Sequence, residues 1–250
     1  MSEDKNQRLA HPTGAVVFAT THWSLVLRAK GGDETAAAAA LSSLCQVYWA
    51  PLYAFLRRSG HSSHDAEDLV QAFFAKFLQD DFLGDVSQNR GRFRSFLLAA
   101  LRNFVANHWR ESNRIRRGGG QMKILLDVPE QEAICQQEMA LIENPERIFD
   151  RRWAQTVVQS AAKRLQDEYS KSGRGNIHHQ LQGFLGREGS AEDYQTAGKK
   201  LKIAPGAISV AVHRLRHRYR DCIRQEIADT VERPEEIDAE MRYLLELLLG

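Results

Sequence analysis

The sequence predicts an all-α protein made of two helical domains joined by a flexible acidic linker, and three observations carry that expectation. Apolar residues recur at helical spacing in nearly every periodic segment, without convincing strand alternation or an Asn-Gly or Asp-Gly hairpin signal. Gly118-Gly119-Gly120 is the clearest hinge in the chain, and an acidic stretch follows it. Late in the sequence, two helical patterns flank a tight turn. The 250 residues can form one large domain or two small ones, and a 43% hydrophobic fraction with 6 prolines excludes collagen and wholesale disorder.

In chain order, Asp33 caps a helix running through Ala36–Ala40 to Trp49, and Pro51 starts another that ends at Arg58 before Gly60. A third begins at Ser62 or Ser63 and continues through Asp65–Leu78. A polar loop, Gly84–Arg92, precedes a fourth helix from Phe93 to about Arg116. Asn144-Pro145 is a cap followed by a first-turn proline, and Phe149, Trp153, Val157, Ala161 and Leu165 then share one face. Lys171–Gly175 breaks that helix. Ser190-Ala191-Glu192-Asp193 fits the Ser-x-x-acid capping pattern for a helix ending near Lys202. After Ile203–Gly206 comes a helix with Ile208, Val212, Leu215, Tyr219 and Ile223 along one stripe. This is the helix-turn-helix pattern, strengthened by the basic outer face of the second helix. Pro234 precedes a short acidic helix with Ile237, Met241, Leu244, Leu245 and Leu248 as its apolar stripe.

Charge is nearly balanced overall but strongly segregated. Asn89–Arg117 holds eight arginines against Glu111 alone, and Lys199–Arg224 holds three lysines and five arginines against Asp221 alone. Six acids and one lysine lie between Gly118 and Glu146, and eight acids and two arginines follow Gln225. Two basic blocks on helices point to nucleic acid. On the fourth helix, Arg102, Asn103, Trp109, Arg110 and Asn113 share an arc opposite the face of Phe93, Phe96, Leu97, Ala100, Leu101, Phe104, Val105 and His108. Guanidinium groups suit phosphates, while an amide and an indole suit an unpaired base, so single-stranded DNA fits this face better than a duplex groove. Trp109 lies at the border of the apolar face, so a core position is the competing reading.

Enzyme classes find little support. His61, His64, Asp65 and Asp68 could face one divalent ion, but no second His/Asp cluster of comparable density supplies further ligands, and His178-His179 reads as isolated and exposed. Gly-rich phosphate loops and nucleophile elbows are absent, so neither catalysis nor a metal or other cofactor is expected. Cys45, Cys135 and Cys222 are odd in number and widely spaced, which indicates a reduced compartment. Without a membrane-length apolar run or a secretory leader pattern, the expectation is a cytoplasmic protein with no membrane partner.

Tyr53–Arg58, Asp65-Ala66-Glu67-Asp68-Leu69-Val70-Gln71-Ala72-Phe73-Phe74, Phe93–Leu97, Arg102-Asn103 and His108-Trp109-Arg110 together resemble region two of extracytoplasmic-function, or group 4, RNA polymerase sigma factors of the sigma-70 family. Tyr194–Leu201 with Gly206–Arg216 resembles region four. Thr21–Leu25 and the acidic tail look like the subgroup associated with Ser/Thr kinases.

The resemblance implies an N-terminal extension at 1–19, a region-two domain at 20–117, a linker at 118–144, a region-four domain at 145–233 with its helix-turn-helix at about 190–224, and an acidic C-terminal helix at 234–250. It implies polymerase binding through Asp65, Glu67, Asp68, Gln71 and Phe74. Recognition and melting of the −10 promoter element falls to Arg92, Phe93, Arg94, Arg102, Asn103, Trp109 and Arg110. Recognition of the −35 element falls to Ala207, Ser209, Val210, His213, Arg214, Arg216 and Arg218, the last two nearer phosphates. The implied partners are core RNA polymerase and promoter DNA, together with an anti-sigma factor or a Ser/Thr kinase. Ser209 and Ala211 stand where the family often has basic residues, and Gln195-Thr196-Ala197 replaces the usual Glu-Ile-Ala, departures that bear on promoter sequence. Two other readings stand beside this one: a helix-turn-helix regulator of duplex DNA acting without polymerase, and a sigma-like interaction protein controlled by a kinase.

Overall fold

The computed structural model describes residues 34–79, 93–112, 132–136, 144–231 and 233–249, and the regular elements among them are all helical. Helix α1 (Glu34–Arg58) runs unbroken through Pro51, where the sequence predicts a boundary between two helices. An interior proline costs about 3 kcal/mol. Tyr48, Trp49, Leu52 and Tyr53 flank it with at most 1% exposure, and burying such side chains contributes about 1.5–3 kcal/mol each. Packing outweighs the break.

Helix α2 (Ser63–Gln79) starts where Ser62 accepts the Asp65 backbone N–H at 3.1 Å and donates its hydroxyl to the Asp65 carboxylate at 2.6 Å. Helix α3 (Phe93–Ser112) lays Phe93, Leu97, Leu101 and Phe104 against α1 and α2, with the Phe73 and Phe104 rings 5.6 Å apart. His108, read as part of this apolar face, is exposed one turn beyond the buried Phe104.

Helix α4 (Pro145–Lys171) begins at the predicted cap, Asn144 accepting the Arg147 N–H at 2.7 Å. Its predicted stripe is buried throughout, and it serves two cores. Phe149, Trp153 and Val157 join the core of α1–α3, whereas Ala161, Leu165 and Tyr169 join a second core. That second core is completed by α5 (Gly175–Leu181), a 3-10 turn (Gln182–Phe184), α6 (Ala191–Leu201) and α7 (Pro205–Ala228). Helix α5 turns His178 inward to 5% exposure against Tyr169, correcting the exposed position expected from sequence.

After a second 3-10 turn (Pro234–Glu236), α8 (Ile237–Leu249) packs on α4 and the end of α7. Its inner face is Ile237, Glu240, Leu244 and Leu247, while Leu245 and Leu248 are 50% and 40% exposed. The predicted stripe is therefore rotated, and the rotation brings an acid inside. The three cysteines are free and buried, and burial pushes the Cys45 thiol up to about 12. Among the described residues, no helix is long and apolar enough to cross a membrane.

Candidate nucleic-acid and partner interfaces

Helix α2 turns its acidic face outward. Asp65 is exposed, and Glu67 and Asp68 are half-buried. Gln71 lies beneath them at 8% exposure and donates to Glu67 Oε1 at 3.1 Å. Phe74 is fully in the core, 5.5 Å from the Phe73 ring. Of the five predicted docking residues, the three that reach the surface here are thus carboxylates. His64 Nε2 stands 3.6 Å from Asp68. Among the described residues, no group of three or more His, Cys, Asp or Glu is arranged to hold a metal ion.

Helix α3 carries the middle of the first basic block, and two of its arginines, Arg94 and Arg102, are engaged. Arg94 is only 6% exposed: Nε lies 3.3 Å from Asp150, and Nη1 pairs with Glu240 of α8. Its guanidinium carbon stands 4.7 Å from the Trp153 ring centre and 4.4 Å from that of Tyr243. Tyr243 donates to Asp150 at 2.7 Å. Burial, reinforced by that bond, lifts its phenol to about 12. A buried guanidinium held by two carboxylates and two rings strengthens every contact it makes, and loss of any one strands a charge. Arg102 keeps 47% of its side chain exposed while pairing with Glu146 and standing 5.3 Å from the Phe55 ring centre. Phe93 is core and Asn103 is exposed. Arg92 and the loop 84–92 lie outside the described residues. For Trp109 and Arg110 the backbone alone is described.

The acidic segment between the basic blocks contributes a clamp that the sequence reading missed. From the short helical segment 132–136, Glu132 accepts from Arg57 at 2.8 and 2.6 Å and from the Tyr53 hydroxyl at 2.6 Å. The Arg57 bonds are the main cause of a Glu132 carboxyl held down at about 2.

The second basic block is open at one end and anchored at the other. Ser190 and Asp193 form the predicted capping box on α6, and Asp193 is drawn to about 2, first by Arg187. The α6–α7 turn is tight: Lys202 takes the left-handed conformation at φ 57°, and a Cβ on Gly198 would meet the Ile203 carbonyl oxygen at 2.8 Å. Beyond the turn, Ala207, Ser209, Val210, His213 and Arg214 are exposed, Val210 at 50%. Arg216 instead donates to the carbonyls of Phe184 and Arg187 at 2.9 and 2.7 Å, and Arg218 forks onto Glu168 at 2.7 and 2.6 Å. With Arg164 on Glu226 at 2.6 Å, these bonds fasten α7 along the molecule. They occupy the two arginines that the sequence reading sends to phosphates.

An acidic outward helix face, a basic helix beside it and a second basic helix with an exposed N-terminal end define an all-helical protein equipped for an electrostatically matched partner and for nucleic acid. Residues 46–115, which span the C-terminal half of α1, all of α2 and all of α3, match the family model described as Sigma-70 region 2. The match supports a sigma-70 family sigma factor with a role in promoter recognition, and that family implies core RNA polymerase and promoter DNA as partners. No curated protein and no solved structure matches the chain.

Proposed function

We propose that the chain is an extracytoplasmic-function sigma factor, of the kind associated with Ser/Thr kinases, that directs RNA polymerase to a class of promoters. The observation that carries the proposal is the Sigma-70 region 2 match over 46–115, because the same stretch holds both the acidic face of α2 and the basic helix α3. Asp65, Glu67 and Asp68 form the docking surface for a basic helix pair on core polymerase, with Gln71 orienting Glu67 and Phe74 holding the helix from below. Helix α3 engages the −10 element, with Arg92 preceding it in sequence and the buried Phe93 anchoring its start in the core rather than touching DNA. Arg102, Asn103 and Arg110 meet the backbone and an extruded base, with Trp109 as the stacking group.

In the proposed division, residues 20–117 form region two and 145–233 region four, with α4 as the strut shared by both cores. Helices α6 and α7 act as a helix-turn-helix on the −35 element. Ala207, Ser209, Val210, His213 and Arg214 reach base edges, and the free end of α7 is exposed as that docking requires. Arg216 and Arg218 serve phosphates only after exchanging their present partners. The chain acts in the cytoplasm, makes and breaks no bond itself, and answers to a kinase or an anti-sigma factor.

Reversing the docking charges tests the proposal. Asp65→Lys with Asp68→Lys should weaken binding to purified core polymerase by tenfold or more, on the order of the 1.4 kcal/mol that one such interfacial charge contact carries. Unchanged polymerase affinity in the double variant would remove α2 as the docking face.

A further inference from the structure

The sigma-factor resemblance points Arg94 at promoter DNA, yet in this arrangement the side chain is shut away at 6% exposure. The groups that close it in belong to two other helices. Asp150 and Glu146, one turn apart on α4, meet Arg94 and Arg102, one after the other along α3. Glu240 and Tyr243 of α8 complete the enclosure, Glu240 at 1% exposure and Tyr243 across the guanidinium plane. Between α3 and these helices runs a cleft of about 400 Å3, walled by Arg94, Ser95, Arg102, Glu146, Asp150 and Tyr243. A carboxylate on an arginine fork occupies the position that a phosphate oxygen takes, and an aromatic ring over a guanidinium takes the position of a base. Three carboxylates and one phenol ring thus stand along α3 as a stretch of nucleic acid would.

We infer that α8, together with the first turns of α4, is an intramolecular substitute for DNA on α3. In this inference the Arg94–Glu240 contact is a latch that must open before α3 takes up the −10 strand. The inference rests on the proposed sigma-factor reading for the identity of the strand, but the closure itself is a property of α3, α4 and α8. Any ligand that binds α3 at Arg94 must compete with the tail helix, so binding and tail release are linked and each promotes the other. The acidic tail and the first basic block are one device, a masking that charge alone suggests and that the Arg94–Glu240 pair localises to α3.

The test uses the full chain and a fluorescently labelled, mixed-sequence single-stranded oligonucleotide, titrated by anisotropy without polymerase. Glu240→Gln removes one of the two charges that hold Arg94, the one supplied by α8, and Tyr243→Ala removes the ring above it and the bond to Asp150. Each variant should bind the oligonucleotide at least about fivefold more tightly than wild type, the lower end of ordinary coupling. Adding Arg94→Ala to either should abolish the gain. Affinities within about twofold of wild type, in variants whose circular dichroism matches it, would overturn the latch.

Hydrogen exchange on the wild-type chain decides the matter even if both variants unfold. Amides of 237–249 should exchange faster once core polymerase and a bubble-containing duplex are bound, and unchanged protection would overturn the inference. Failure of the parent reading looks different. A chain that does not bind core polymerase would refute the sigma role, while tighter oligonucleotide binding by the two variants would leave the latch standing.

Discussion

The two basic helices of this protein, similar in composition, are presented in opposite ways. On α3 the first arginine is buried between two carboxylates and two rings, and the next exposed one is paired with Glu146. On α7 the order along the helix is reversed. The N-terminal end, with Ser209, Val210, His213 and Arg214, stands in solvent, and the next two arginines, Arg216 and Arg218, are fastened to Phe184, Arg187 and Glu168. A run of arginines therefore says little about what is free to bind. What decides is whether carboxylates or carbonyls of the same chain reach the guanidinium first.

Stability measurements should break the symmetry between the helices most sharply. Arg94→Ala strands Glu240 and Asp150 without their cation and should cost about 3–5 kcal/mol in denaturant unfolding. A cost below about 1 kcal/mol would mean that the enclosure contributes little to the fold. Gly198→Ala comes next: its Cβ would press the Ile203 carbonyl at 2.8 Å, so a loss of about 1–3 kcal/mol is expected, centred on the α6–α7 turn.

Glu132→Gln should cost about 1–3 kcal/mol near neutral pH, read as a lowered unfolding midpoint. Its pH dependence has a definite sign. The Glu132 carboxyl is lowered from 4.5 to about 2, so its contribution is complete above the unfolded value and disappears as pH falls from 4.5 toward 2. The variant should show a flatter acid-unfolding profile across that interval, and a profile parallel to wild type would show that the clamp is not formed in solution. The smallest stability effect belongs to Arg214→Ala, within about 0.5 kcal/mol, since its side chain is exposed. Its cost should appear in DNA affinity instead, whereas Arg216→Ala should lower stability by about 1–2 kcal/mol through its two carbonyl bonds.

Much of the helical framework was legible in the sequence because it follows local chemistry. The Asn144-Pro145 start, the Ser190–Asp193 box and the Phe149–Leu165 stripe depend on neighbours within a few turns. Pro51 was misread because the packing that carries α1 through it comes from α4, nearly a hundred residues away. The Arg94–Glu240 pair was missed, although a signal existed. Arg94 shares helical spacing with Leu97, Leu98 and Leu101, and Glu240 with Ile237, Leu244 and Leu247, so opposite charges interrupt two apolar stripes. Such matched interruptions mark a buried pair between helices distant in sequence. Helix α5 gave no comparable sign, being too short for a periodic pattern.

The central claim, that this chain confers promoter recognition on RNA polymerase, is tested most directly by run-off transcription. Purified core polymerase would be given DNA from upstream of the chain's own coding sequence, with and without the protein. A defined transcript that appears only when the protein is added, and disappears with Asp65→Lys and Asp68→Lys, is the result this account predicts. No transcript and no binding to core polymerase, with salt-sensitive binding of the free chain to duplex DNA, would contradict it.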